Sequence, residues 1–153
     1  MISEPILVTR KVVSAFEKLG IPYLIGGSFA SALHGVVRAN MDTDVVADIK
    51  TSQVALLVDL LQKEFYISSD MILEAIRHNS SFNLIHLETM FKVDVFILKR
   101  RPYDQNQMRR RIYQSLGDSP DEQAYFCTAE DIILAKLEWY RVGAKSLSDS
   151  GVM

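Results

Sequence analysis

Apolar positions along this chain switch between helical and strand spacing, and each switch marks an element. Ile6, Leu7, Val12, Val13, Phe16 and Leu19 recur on one helical face and stop at Gly20, which predicts an amphipathic helix over 6–19 with a glycine C-cap. Pro22 then precedes Tyr23-Leu24-Ile25, an apolar run of the length of a buried strand. Gly26 and Gly27 end that strand, Ser28 stands where a helix cap belongs, and Phe29 to His34 predict a short helix closed by Gly35. Asp42 to Ile49 is rich in β-branched residues and predicts a second strand. Thr51 or Ser52 would then cap a helix carrying Val54, Leu57, Val58 and Leu61.

The second half of the chain continues the alternation. A further helix is predicted over Ser69 to Arg77, and two strands over Ser81–Leu87 and Met90–Leu98, joined by a tight turn at Glu88-Thr89. Pro102 opens a polar helix running towards Leu116, and Gly117-Asp118-Ser119-Pro120 reads as a loop. Gln123 to Cys127 predicts a last short strand, and Thr128-Ala129-Glu130-Asp131 is an N-cap signature for a helix through Arg141, with a polar tail from about Lys145. No repeat or linker interrupts this order. The expectation is one α+β domain over 1–153, a short mixed β-sheet with helices packed against it.

Composition narrows the class. At 153 residues, 48% of them apolar, the chain can bury a core without staples, and its single cysteine, Cys127, has no internal partner. Glu4, Arg10, Lys11, Glu17 and Lys18 break up any leader or membrane-spanning run near the N-terminus, so a cytoplasmic protein with no membrane association is expected. A net charge of −2 argues against a uniformly basic nucleic-acid binder. Lys99-Arg100-Arg101 and Arg109-Arg110-Arg111 read as a solvated helix face, with a nucleic-acid-binding helix as the competing reading.

The chemistry-bearing residues are acids on strands. Asp42 and Asp44, two apart on a strand, project from the same face about 6–7 Å apart. Two like charges so placed are costly unless a cation joins them, and Mg²⁺ is the usual partner of such oxygens when phosphates are present. Asp94 lies among Val93, Val95, Phe96 and Ile97. If its strand neighbours the first, the three carboxylates suit a two-metal mechanism, one of them serving also as base. The plainer alternative leaves Asp42 and Asp44 at a solvent edge and Asp94 facing water. Gly26-Gly27 permits a close backbone approach, and the helix after it offers N–H groups and the Ser28 hydroxyl to a phosphate. Asp48 shares the parity of Asp42 and Asp44 but sits at the strand's end. It reads as structural, with Asp44 plus Asp48 as a lesser metal pair. Arg38 suits either a triphosphate or an ion pair that fixes its loop. His34, His78 and His86 have no metal-ligand spacing, Trp139 and Tyr140 read as core, and Cys127 reads as a buried small apolar residue.

Ile25-Gly26-Gly27-Ser28, Asp42-Thr43-Asp44 and Asp94 together resemble the nucleotidyltransferase superfamily of polymerase-beta-like enzymes: hydrophobic-Gly-[Gly/Ser], then Asp-x-[Asp/Glu], then a later strand Asp. Within it the chain is most similar to small prokaryotic nucleotidyltransferase-like proteins, including AbiEii-type toxins, over roughly residues 5–141. Their Arg-x-Thr-x-Asp-x-Asp is met by Arg38 to Asp44 except at Asn40, and Thr43 stands where a hydrophobic residue usually separates the acids. The resemblance implies the nucleotidyltransferase fold and transfer of a nucleoside monophosphate from an NTP to a hydroxyl. It implies Asp42, Asp44 and Asp94 as catalytic metal ligands for two Mg²⁺ ions, with Mn²⁺ as substitute. Gly26, Gly27, Ser28, Arg38 and Lys136 would hold the nucleotide, Lys136 as the late-helix lysine of AbiEii-like members. The acceptor is open among tRNA, protein and small molecule. Many relatives continue into further helices that bind the acceptor, whereas this sequence stops at Met153. The alternative is therefore a non-catalytic module that works with a partner protein in a toxin-antitoxin or regulatory complex.

Overall fold

A computed structural model describes residues 4–26, 42–116, 122–134 and 137, with only the backbone of Glu4 and Asp42. The chain begins with α1 (Glu4–Lys18), whose Val8, Val12, Val13 and Phe16 are buried on one face. α1 ends as its apolar pattern requires. Gly20 takes a φ of +68°, its N–H donates to Glu17 O at 3.2 Å, and the N–H of Ile21 donates to Phe16 O at 2.9 Å. That glycine-dependent double bond satisfies carbonyls that the helix leaves open.

Strands β1 (Tyr23–Ile25) and β2 (Asp42–Ala47) follow, then a 3₁₀ turn (Thr51–Gln53) running into α2 (Val54–Leu61). β3 (Phe65–Tyr66), α3 (Ser69–His78), β4 (Ser81–His86), β5 (Lys92–Ile97), α4 (Pro102–Arg110), β6 (Ile112–Ser115) and β7 (Gln123–Phe126) complete the named elements, and residues 129–134 are again helical. The strands form one seven-stranded sheet in the order β3-β4-β5-β2-β1-β7-β6. β2 runs parallel to β5 and β1 parallel to β7, while the pairs β1–β2, β3–β4, β4–β5 and β6–β7 are antiparallel.

One face of this sheet packs against α1, α2 and α3. Tyr23, Ile25, Val45, Phe82, Leu84, Val93 and Val95 share a single buried cluster there with Phe16, Leu57, Leu61 and Ile72. Each such side chain contributes about 1.5–3 kcal/mol when fully removed from water. The opposite face carries a smaller cluster, Leu24, Leu98, Met108 and Cys127, with Val46 and Ile132 against it. α4 and the 129–134 helix thus cover only part of that face.

Several local expectations are revised. β2 ends at Ala47 rather than Ile49, and neither Thr51 nor Ser52 caps the following helix with its side chain. Gln53 Oε1 instead accepts the Lys50 N–H at 2.9 Å. The helix opened by Pro102 stops at Arg110, short of Leu116, because Ile112–Ser115 pairs with β7 and stacks Tyr113 on Tyr125 with ring centroids 4.7 Å apart. β3 was not foreseen either. The cap at Thr128 is present, its Oγ1 accepting from the Asp131 N–H at 3.1 Å, while the expected run of that helix to Arg141 falls outside the described residues, as do the helix at 29–34, Trp139 and Tyr140.

Candidate active site

Three strands converge on the acidic residues. The register of β1 on β2 pairs Ile25 with Val45, so the chain leaves β1 at Gly26 directly against Asp44. The Gly26 N–H donates to Asp44 O at 2.7 Å. A β-carbon on residue 26 would stand 3.2 Å from both Asp44 Cβ and Asp44 O, tighter than ordinary packing tolerates. Any larger residue here would require Asp44 to give by a few tenths of an ångström.

β2 lies beside β5 in parallel, and the register pairs Asp44 with Asp94. Adjacent strands are about 4.7–4.9 Å apart, so the two carboxylates leave neighbouring backbone positions on the same face. The alternation fixes which face. Thr43 and Val45 on β2, and Val93 and Val95 on β5, are fully buried towards the helices, which turns Asp44 and Asp94 to the partly covered side. Both acids are half-buried there.

Thr43, the departure between the two acids, is held from behind. Its side chain is buried, and Thr9 Oγ1 on α1 donates to Thr43 Oγ1 at 3.2 Å. A buried hydroxyl is tolerated when it is hydrogen-bonded, and this bond ties the acid-bearing strand to α1.

The same registers place further side chains around the acids. Asn83 on β4 pairs with Asp94, which gives a row Asn83, Asp94, Asp44, Gly26 across four strands. One step towards the strand ends runs a second row, Tyr66, Ile85, Lys92 and the backbone of Asp42. Asn83 and Lys92 are both exposed. Neither was singled out from sequence, although the i, i+2 parity of Lys92 with Asp94 was a legible signal.

Of the sequence-predicted site residues, the structure brings Gly26, Asp44 and Asp94 together. The Asp42 backbone lies two residues before Asp44 on β2, with its side chain outside the described residues, as are Gly27, Ser28, Arg38 and Lys136. Among the described residues no group of three or more His, Cys, Asp or Glu surrounds a metal position. The donor set nevertheless fits a hard divalent cation: two carboxylates on adjacent strand positions, whose mutual repulsion such an ion would offset.

The remaining candidates have structural partners. Asp48 lies beyond β2, with its carboxylate 3.2 Å from Arg100 and its N–H donating to Pro22 O. Arg110 pairs with the buried Asp131 at 2.6 Å, and Arg111 donates to Met108 O while its guanidinium lies 4.2 Å over the Tyr125 ring. Arg110 and Arg111 therefore take part in the α4–β6–β7 packing, where the sequence pattern suggested a solvated helix face. His86 is buried with Nδ1 at 2.9 Å from Thr89 Oγ1, and His78 sits 2.9 Å from Glu74. Burial, with the nearby Asp131 charge, pushes the Cys127 thiol up to about 11, so it is a poor nucleophile at neutral pH.

No helix of the described residues is long and apolar enough to cross a membrane. No family model and no curated protein matches the sequence. Solved structures do match in fold. The lincosamide antibiotic adenylyltransferase LnuA, with lincomycin bound, superposes with a TM-score of 0.53 at 16% identity, over 87% of this chain and 85% of its own. A protein of Thermotoga maritima provisionally assigned as a nucleotidyltransferase superposes with a TM-score of 0.62 at 17% identity, over 97% of this chain and 94% of its own. With its mixed seven-stranded sheet and the strand order that sets Gly26 against Asp44 and Asp44 beside Asp94, the chain has the nucleotidyltransferase fold.

Proposed function

We propose that the protein transfers a nucleoside monophosphate from an NTP to a hydroxyl acceptor and depends on Mg²⁺. The observation that carries this is the register of Asp44 on Asp94 with Gly26 packed against Asp44. An acidic pair at a solvent edge would need no such approach by a glycine turn.

In this reading the turn at Gly26, Gly27 and Ser28 holds the phosphates through backbone N–H groups and the serine hydroxyl, and Arg38 and Lys136 add charge. Asp42, Asp44 and Asp94 would hold two Mg²⁺ ions, which would supply charge stabilisation to the phosphate oxygens and favour ionisation of the attacking hydroxyl. The acceptor oxygen bonds to the α-phosphorus and the bond from that phosphorus to the pyrophosphate oxygen breaks. Pyrophosphate leaves with the electron pair, and a carboxylate of the site takes the hydroxyl proton.

The test follows label from [α-³²P]NTP into tRNA, protein and small-molecule acceptors. Asp44→Asn and Asp94→Asn are each expected to lower transfer by roughly 10³-fold, about 4 kcal/mol in the barrier, with folding unchanged by circular dichroism. Metal-independent nucleotide binding equal in wild type and both variants contradicts the assignment.

A further inference from the structure

The carboxylate row has two flanks, and they differ in chemistry. On the β1 side stands Gly26. On the β4–β3 side, Ile85 pairs with Lys92 and Tyr66 pairs with Ile85, so both share the face of Asp94. Tyr66 is 54% exposed and Ile85 half-buried, an apolar step ending in an aromatic ring at the sheet edge. Lys92 and Asn83 stand between this step and the acids, both exposed.

We infer that this flank seats the acceptor, and that the acceptor is a hydroxyl-bearing small molecule with an apolar or aromatic ring. The inference rests on the transfer reaction proposed above and deepens it. If the glycine turn holds the triphosphate, the attacking oxygen must approach Asp94 from the opposite flank, which is the side of Asn83, Lys92, Ile85 and Tyr66. The ring of Tyr66 and the side chain of Ile85 offer apolar area to the body of such a ligand. Asn83 and Lys92 offer hydrogen bonds to polar groups beside the reacting hydroxyl.

The dimensions of the flank suit a small acceptor. Tyr66 lies two strand spacings and one residue pair from Asp94, about 12 Å, so the platform spans one or two rings. Within the described strands Lys92 is the only lysine or arginine, so this flank offers a single cation to a phosphate chain.

The experiment has a binding arm and a transfer arm. Saturation-transfer NMR is run without nucleotide on wild type, Tyr66→Ala and Tyr66→Phe, with a set of ring-bearing alcohols that includes 4-nitrophenyl β-D-glucopyranoside. Ring-proton signals are expected for members of the set, reduced about five- to tenfold in Tyr66→Ala and retained in Tyr66→Phe. In the transfer arm, [α-³²P]ATP is offered with the same set and with a 20-nucleotide RNA. The ring-bearing alcohols are expected to take label in preference. Tyr66→Ala should raise acceptor KM by a similar factor and leave ATP KM within about twofold. Signals independent of Tyr66, no binding by any member of the set to folded protein, or preferential labelling of the RNA would each overturn the acceptor seat. Transfer that requires Asp44 but ignores Tyr66 overturns only the seat. Tyr66-dependent binding with no Asp44-dependent handling of ATP overturns the transfer reaction itself.

Discussion

Gly26 is where a single methyl group separates this site from an ordinary sheet. Its substitution by alanine sets a β-carbon 3.2 Å from the Asp44 backbone oxygen and Cβ, and backbone cannot rotate away as a flexible side chain would. Gly26→Ala is expected to cost about 1–3 kcal/mol by urea unfolding and to weaken NTP binding, because the strand that must yield carries the acid. An unchanged unfolding midpoint would show that the approach is looser than described. Cys127 gives a pH-dependent counterpart. Burial raises its thiol from an ordinary 9.0 to about 11, so stability from the neutral thiol is fully present below about pH 9 and is lost as pH rises through about 11. At pH 8 its alkylation by iodoacetamide should run about 10²-fold slower in the folded protein than in urea. Equal rates would contradict the burial. At this scale the sequence was informative where spacing alone speaks: Gly20, Gly26, Asp44 and Asp94 were all legible. Asn83 was not, since one polar residue in a strand says nothing until its cross-strand partner is known. Thr43 looked like a deviation because its partner, Thr9, is 34 positions away.

Elements with their own periodicity were recoverable, and those formed by distant pairing were not. α1, α3 and the β4–β5 hairpin came from local pattern, and the structure adds the caps of α3: Ser68 Oγ accepts the Met71 N–H at 3.4 Å and Asn79 closes the helix with a φ of +50°. β3 is two residues long, and β6 follows a run of three arginines that reads as helix. Both strands exist because a partner strand pairs with them, a contribution no local window contains. The same contrast predicts how the sheet opens. β2 and β5 are paired on both sides and backed by fully buried valines, whereas β3 and β6 each have one partner among the described strands. Amide exchange is expected to be slowest in Val45, Val93 and Val95 and faster by orders of magnitude in Tyr66 and Tyr113. Uniform protection across the sheet would contradict that gradient.

For the whole molecule, strand order makes a site from pieces far apart in sequence. β2 is flanked by β1 and β5, so the end of β1 and the middle of β5 meet across one strand. The sequence supplied the α+β class and placed Asp44 and Asp94 on strands. It did not supply the seven-strand order, on which the meeting of Asp44 and Asp94 depends. Among the described residues, the acid-bearing face also carries the small cluster of Leu24, Leu98, Met108 and Cys127. The most direct test of the central claim is Mn²⁺ binding followed by electron paramagnetic resonance in the presence of a non-hydrolysable ATP analogue. Wild type is expected to bind two Mn²⁺ per chain, and Asp44→Asn and Asp94→Asn to lose that binding while remaining folded. Mn²⁺ binding identical in wild type and both variants would contradict the account.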